Sequence, residues 1–132
     1  MIRILVIDDE PDFNSLMVEH FTRMGCAVDT AETGELGFEK IRVKRPDIVI
    51  VDNRLPGISG IEVVKRLRAE HKHLFIVMVT VDKEEEVMAV LGPIRVDRYV
   101  KKPFRLDVLN DAVVALVAGA KKGQRTEVLD ET

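Results

Sequence analysis

The sequence of 132 residues contains a single cysteine, Cys26, so no disulfide can form within the chain. A protein without disulfides is typical of a reducing compartment. No apolar run approaches the ~18–20 residues that a membrane-spanning helix needs. The first residues also lack the pattern of a secretory signal peptide. These absences predict a cytoplasmic protein with no membrane partner.

An excess of basic residues is also missing. The chain has 20 Lys and Arg against 23 Asp and Glu, which gives a formal net charge of -3. Proteins that bind nucleic acid through their backbone phosphates carry a basic surface, so we expect no nucleic acid to bind this chain. With 46% hydrophobic residues, the chain is long enough to bury the core of one globular domain.

The most informative stretch is residues 48–51, four consecutive β-branched apolar side chains (Ile-Val-Ile-Val). Such a run predicts a strand that is buried on both faces, as in the centre of a parallel sheet. Pro56 and Gly57 then favour a turn, so Asp52 is expected at the carboxyl end of the strand. Taken alone, Asp52 could equally be a helix cap or a turn former.

Strand and helix patterns alternate along the chain. Strand patterns cover residues 2–7, 26–30, 48–51, 74–79 and 96–100, and helical patterns begin near Pro11, Thr33, Ser59, Asp82 and Arg105. Five repeats of strand and helix predict an α/β fold around a parallel sheet. We assign one domain to residues 1–118 and interpret the polar, aperiodic residues 119–132 as a tail or the start of a linker.

Polar side chains follow the strongest strands. They are Asp8 and Asp9 after the first strand, Asp52 after the third, Thr80 after the fourth and Lys102 after the fifth. The carboxyl ends of parallel strands meet at one edge of a sheet, where α/β folds place their sites. Carboxylates crowded together repel unless a cation neutralises them, and a few hard oxygen ligands suit Mg²⁺.

Residues 2 to about 118 resemble the receiver domains of two-component response regulators. The motifs that carry the resemblance are Asp8-Asp9, Asp52 with Leu55-Pro56-Gly57 and Gly60, Thr80, Tyr99, and Lys102-Pro103-Phe104. The resemblance implies a flavodoxin-like (βα)5 three-layer sandwich with strand order 2-1-3-4-5. It also implies a phosphorylation-dependent signalling switch, used in a phosphorelay, that is not a turnover enzyme on external substrates.

The same resemblance implies roles for individual residues. Asp52 would accept the phosphoryl group from a histidine kinase or a phosphotransfer protein. Asp8, Asp9, Asp52 and the backbone carbonyl of Arg54 would hold Mg²⁺. These are ligand types that Mg²⁺ prefers.

Two further side chains would hold the phosphoryl oxygens. Thr80 would hydrogen-bond one oxygen and Lys102 would pair with another, which neutralises charge during transfer. Thr80 would then move inward and Tyr99 would follow it as the switch. The alternative is that Tyr99 is a static aromatic of its strand.

Some positions depart from the family pattern. Val81 stands where a small residue is usual, and Arg54 and Asp82 occupy variable positions beside the pocket, so we expect these three residues to tune access of water. Residues 92–96 also differ from the usual pattern. We expect output, and a dimer if one forms, through residues 83–117.

Two other protein classes fit less well. A phosphatase of the haloacid dehalogenase type needs an Asp two residues after its nucleophile, where this chain has Arg54. A flavodoxin needs a loop that binds phosphate after the first strand, where Asp8-Asp9-Glu10 would repel it. Within the receiver interpretation, the chain either acts alone by protein contact or is the receiver half of a longer regulator. The kinase, the signal and the target cannot be named from the sequence.

Overall fold

The computed structural model describes residues 1–121 of the chain. Its strands are β1 (Arg3–Ile7), β2 (Ala27–Ala31), β3 (Ile48–Val51), β4 (Phe75–Thr80) and β5 (Arg98–Lys101). Its helices are α1 (Pro11–Arg23), α2 (Gly34–Val43), α3 (Gly60–Glu70), α4 (Glu84–Leu91) and α5 (Leu106–Lys121). None of these helices is long and apolar enough to cross a bilayer.

The five strands form one parallel sheet in the order β2-β1-β3-β4-β5. Every residue of β3 is buried, because β3 lies between β1 and β4 and both of its faces are covered. Helices α2, α3 and α4 pack on one face of the sheet, and α1 and α5 pack on the other. The predicted three-layer fold and strand order are therefore confirmed.

Two of the predicted helix starts, Thr33 and Ser59, carry a side-chain cap, and a third, Asp82, does not. The Thr33 hydroxyl accepts a hydrogen bond from the backbone N–H of Leu36 at the start of α2, and Ser59 does the same for Glu62 in α3. Such a cap typically stabilises a protein by ~1 kcal/mol. Helix α4 instead begins after Lys83 without a side-chain cap. The predicted start of this helix at Asp82 is wrong, because the Asp82 carboxylate is engaged elsewhere, as described below.

The last helix of the described chain is longer than predicted. Helix α5 continues through Lys121, three residues beyond the predicted boundary at residue 118. The predicted polar tail thus begins inside this helix, and its remaining part, residues 122–132, lies outside the described residues.

An arginine on α3 joins three neighbouring segments at the amino-terminal edge of the sheet. The Arg68 guanidinium donates to Asp97 Oδ2 at 2.8 Å, to the carbonyl of Arg95 at 2.9 Å and to the carbonyl of Leu74 at 2.5 Å. Asp97 Oδ2 also accepts from the backbone N–H of Ile76 at 2.8 Å. The segment before β5 is thereby fixed to α3 and to the start of β4.

Candidate functional site

The strand register brings Asp8 and Asp52 to neighbouring positions at the carboxyl edge of the sheet. Ile7 pairs with Val51, so the next residue of each strand lies in the same row. The backbone N–H of Asp52 donates to the carbonyl of Ile7 at 3.0 Å, which carries the pairing one residue further. Only 1% of Asp8 and 7% of Asp52 are exposed to solvent, so the two carboxylates share a largely desolvated pocket.

The loop after β3 folds closely over Asp52, and this requires a glycine at position 60. A Cβ atom on Gly60 would lie 2.1 Å from the carbonyl oxygen of Asp52. The N–H groups of Gly60 and Ile61 both donate to Asn53, at 2.9 Å each. These contacts hold the start of α3 against the end of β3 and fix the wall of the pocket.

Lys102 reaches the pocket from the loop after β5. Its Nζ donates to Asp8 Oδ2 at 2.8 Å, to Asp52 Oδ2 at 3.2 Å and to the Glu10 carboxylate, and it lies 4.6 Å from the centre of the Phe13 ring. Burial alone would lower the pKa of Lys102, but the hydrogen bonds to Asp8 and Glu10 outweigh burial and raise that pKa. Lys102 is therefore a fixed positive charge at neutral pH.

Three carboxylates come close enough together to share a cation. Asp8, Glu10 and Asp52 each offer an oxygen, and these atoms lie within 4.8 Å of one another. An all-oxygen ligand set in an acidic pocket fits a divalent cation such as Mg²⁺. Asp9, predicted as a ligand, is exposed and is not in this group. Glu10 was not predicted as a site residue, although it continues the acidic run Asp8-Asp9-Glu10.

The environment of Asp8 predicts a pH-dependent stability in metal-free buffer. Burial raises the pKa of Asp8, and hydrogen bonds from Lys102 and from the backbone of Glu10 only partly oppose this. A raised folded-state pKa means that the Asp8 contribution to stability is greatest below its unfolded value of about 3.9 and is lost as the pH rises through the folded value. Asp8→Asn should therefore gain stability relative to wild type between about pH 4 and pH 7.

Urea denaturation with a chelator present measures this difference. Asp107→Asn is the matched control because it also removes a carboxylate, from a side chain that is 58% exposed. An Asp8→Asn difference that is constant over the same pH range would contradict the raised pKa.

Thr80 and Tyr99, the predicted switch residues, lie on the adjacent strands β4 and β5. Thr80 is buried, and its hydroxyl lies 3.3 Å from Asp82 Oδ2. Tyr99 is half-buried, and burial is the main cause that raises its pKa. Both residues line a surface cavity of about 460 Å³ between β5 and the start of α4.

Arg54 and Asp82 meet at the mouth of the pocket. The Arg54 guanidinium donates to Asp82 Oδ1 at 2.9 and 2.8 Å, and Asn53 Nδ2 donates to Asp82 Oδ2 at 2.8 Å. The hydrogen bonds from Arg54 and Asn53 lower the pKa of Asp82, so this carboxylate stays ionised. Val81 lies between Thr80 and Asp82 in the chain and is 45% exposed.

The pocket of carboxylates, threonine and lysine at the end of a 2-1-3-4-5 sheet agrees with comparisons to known proteins. Residues 4–114 match the family model of the response regulator receiver domain. The chain belongs to this family. Because the match covers most of the chain, the family relationship applies to the whole domain described above.

Two curated proteins of one bacterium are similar to this receiver. It is 37% identical over 116 residues to the alkaline phosphatase synthesis transcriptional regulatory protein PhoP of Bacillus subtilis, covering 87% of this chain and 48% of PhoP. It is 28% identical to the sporulation initiation phosphotransferase F of the same organism, covering 84% of this chain and 90% of that protein. The receiver thus spans about half the length of PhoP.

A solved structure shows the same fold. The response regulator TrrA of Thermotoga maritima, solved in complex with Mg²⁺ and BeF, is 36% identical, with a TM-score of 0.78 and coverage of 88% of this chain and 99% of TrrA. TrrA has also been solved in complex with the histidine kinase ThkA, and that structure matches with a TM-score of 0.76 at 36% identity, covering 88% of this chain and 98% of the matched chain.

Proposed function

We propose that this receiver is a phosphorylation-dependent signalling switch in which Asp52 accepts the phosphoryl group. The observation that carries the proposal is the buried Asp52 carboxylate, which faces Lys102 Nζ at 3.2 Å at the end of the most buried strand. Of the two carboxylates held by Lys102 in the buried pocket, Asp8 is bound more tightly, at 2.8 Å. Asp52 is therefore the more available nucleophile.

The proposed reaction is a transfer from phosphohistidine. An Asp52 oxygen attacks the phosphorus atom, an acyl phosphate bond forms, and the nitrogen–phosphorus bond to the histidine breaks. Such transfers depend mainly on aligning the reacting groups and on neutralising the negative charge of the equatorial phosphoryl oxygens. Asp8, Asp9, Asp52 and the carbonyl of Arg54 would hold Mg²⁺, with Glu10 as a further nearby carboxylate, and the ion would neutralise part of the negative charge on these oxygens. Lys102 neutralises a further part of this charge by pairing with a phosphoryl oxygen.

The switch begins when the phosphoryl group attracts Thr80. The Thr80 hydroxyl exchanges its long contact with Asp82 for a charged oxygen, and Tyr99 moves toward the space beside β4. Output then passes through residues 83–117, where Met88 and Val90 of α4 and Val108 of α5 expose apolar surface. A downstream protein or a second copy of the chain would bind there.

We propose a histidine kinase or a phosphotransfer protein as the donor. The support is the family relationship, together with the structure of TrrA in complex with the kinase ThkA. Since the chain spans about half of PhoP, we keep as an alternative that it is the receiver part of a longer regulator. In either case the phosphoryl group ends on the receiver itself, so the protein is not a turnover enzyme on external substrates.

The proposed function is tested by incubating the protein with Mg²⁺ and a small-molecule phosphodonor and measuring its intact mass. We expect a gain of one phosphoryl group that is abolished when a chelator removes the metal. A protein that gains no phosphoryl group under these conditions, or gains it equally with the chelator present, would contradict the proposal.

The contact at the pocket mouth predicts a slow loss of the phosphoryl group. Hydrolysis needs a water molecule in line with the acyl phosphate, and the Arg54–Asp82 pair and Val81 stand beside that approach. The Arg54 side chain is 67% exposed, so its pair with Asp82 contributes little to the stability of the fold, and its main effect is on the position of the water. We expect Arg54→Ala, Val81→Ala and Asp82→Ala each to shorten the phosphoryl half-life several-fold.

Half-lives of the phosphorylated proteins in Mg²⁺ measure this effect. Arg66→Ala is the control, because Arg66 pairs with Glu62 on the exposed side of α3. Arg54→Ala is the most direct variant, since Asp82 also contacts Thr80. Half-lives that match wild type in all three variants would show that Arg54, Val81 and Asp82 do not restrict the approach of water to the acyl phosphate.

A further inference from the structure

Helix α1 places one polar side chain on its buried face. Its buried residues are Asn14, of which 8% is exposed, and the apolar residues Phe13, Met17 and Phe21. The Asn14 Oδ1 atom accepts no hydrogen bond from residues 1–121. A buried acceptor without a partner lowers the stability of a protein, and a leucine of similar size would not introduce one. Packing alone therefore gives no reason for an amide at position 14.

The nitrogen of this amide has a partner at the edge of the candidate site. Asn14 Nδ2 donates to the backbone carbonyl of Asp8 at 2.7 Å. Helix α1 begins after Glu10 without a side-chain cap, so this bond connects the start of the helix to the end of β1. The reverse orientation of the amide would bring Oδ1 against the carbonyl oxygen, where two acceptors repel each other. The contact with Asp8 therefore determines how the amide is oriented.

Asp8 is held at each of its polar atoms. Its backbone N–H donates to the last carbonyl of β2 at 3.0 Å, its Oδ1 accepts from the backbone N–H of Glu10 at 2.9 Å, and its Oδ2 accepts from Lys102 at 2.8 Å. Asn14 holds the remaining atom, the carbonyl oxygen. Because a peptide bond is planar, this oxygen lies in one plane with the N–H and the Cα atom of Asp9. Fixing the oxygen therefore fixes the direction in which the chain enters Asp9.

We propose that Asn14 is a positioning residue for the cation site, an inference that rests on the proposed function. Through the Asp8–Asp9 peptide group, Asn14 fixes the backbone from which both carboxylates project. One of them, Asp8, has an oxygen within 4.8 Å of an Asp52 oxygen. Side chains that orient metal ligands without binding the metal typically contribute about 10–100-fold to metal affinity. The alternative is that Asn14 only attaches α1 to β1 and contributes to stability.

Mg²⁺ titrations of the unphosphorylated protein test the proposal, with the amide NMR signals of Asp9 and Asp52 followed as MgCl₂ is added. Asn14→Leu keeps the approximate size of the side chain but cannot donate to Asp8, so we expect its Mg²⁺ dissociation constant to rise about 10-fold. Asn14→Ser is the second variant, because its hydroxyl ends one bond nearer the backbone than the amide nitrogen does. It should weaken Mg²⁺ binding in the same direction.

Phe21→Leu is the control for stability. Phe21 is 0% exposed and lies about two turns further along the same helix, so the change weakens the packing of α1 and leaves the bond from Asn14 to Asp8 in place. We expect this variant to bind Mg²⁺ with the affinity of wild type. Urea denaturation with a chelator present shows that each variant is folded and how much stability each has lost.

Two results would overturn the positioning role. One is an unchanged Mg²⁺ dissociation constant in Asn14→Leu and Asn14→Ser. The other is an equal loss of Mg²⁺ affinity in Phe21→Leu, because that loss would follow from destabilisation of α1. In both cases wild type binds Mg²⁺, so the proposed function is unaffected. Wild-type protein that binds no Mg²⁺ would instead contradict the proposed function and this inference together.

Discussion

Replacing Asp97 by alanine is expected to lower the free energy of unfolding by about 3–5 kcal/mol. The side chains of Arg68 and Asp97 are only 10% and 11% exposed, and their atoms lie 2.8 Å apart. Burial is the largest influence on the Arg68 guanidinium and lowers its pKa, and the charge of Asp97 opposes this shift. Without Asp97, the Arg68 guanidinium keeps its carbonyl acceptors but loses its anionic partner, and the backbone N–H of Ile76 loses its side-chain acceptor.

Urea denaturation at neutral pH measures the loss, and an exposed pair on the same helix provides the control. Glu62→Ala removes the partner of Arg66, where both side chains are more than 40% exposed. That change should lower the free energy of unfolding by no more than about 0.5 kcal/mol. If Asp97→Ala lowered the free energy of unfolding as little as Glu62→Ala does, the segment before β5 would not be fixed by Arg68.

Asp52→Asn is expected to abolish phosphoryl transfer to the protein while preserving the fold. An amide has nearly the shape of the carboxylate but lacks the negative oxygen that attacks phosphorus. The change also removes one of the charges that would hold the metal. Because Asp8 and Glu10 still contact Lys102, the lysine keeps its position near the altered side chain.

Intact mass after incubation with phosphodonor and Mg²⁺ measures this prediction. Asp107→Asn serves as the control, since it removes an exposed carboxylate from α5 and should be labelled like wild type. A circular dichroism spectrum equal to that of wild type would establish that Asp52→Asn is folded. Equal labelling of Asp52→Asn and wild type would assign the acceptor to another residue.

The central features of the fold could be predicted because local patterns determine them. The four β-branched residues of β3 identify a strand buried on both faces, and the turn after it places Asp52 at the strand end. Thr33 and Ser59 could be identified as caps, because a cap bonds to a backbone N–H three residues away. The register of parallel strands then brings Asp8 beside Asp52.

Other features depend on contacts between distant residues and were missed for that reason. Glu10 joins the site only because Lys102, 92 residues away in sequence, reaches it. The start of α4 was misplaced, since Asp82 has the residue type of a cap but bonds to Asn53 and Arg54 instead. The role of Arg68 could not be predicted from the sequence, because its acceptors are mostly backbone carbonyls of other segments.

The position of the phosphoryl group is the most direct test of the proposed switch. Tandem mass spectrometry of peptides from phosphorylated wild-type protein, after the acyl phosphate has been reduced to a stable product, identifies the modified residue. We predict modification at Asp52 and at no other carboxylate. Modification at Asp8, Asp9 or Glu10, with Asp52 intact, would contradict the assignment of Asp52 as the phosphoacceptor.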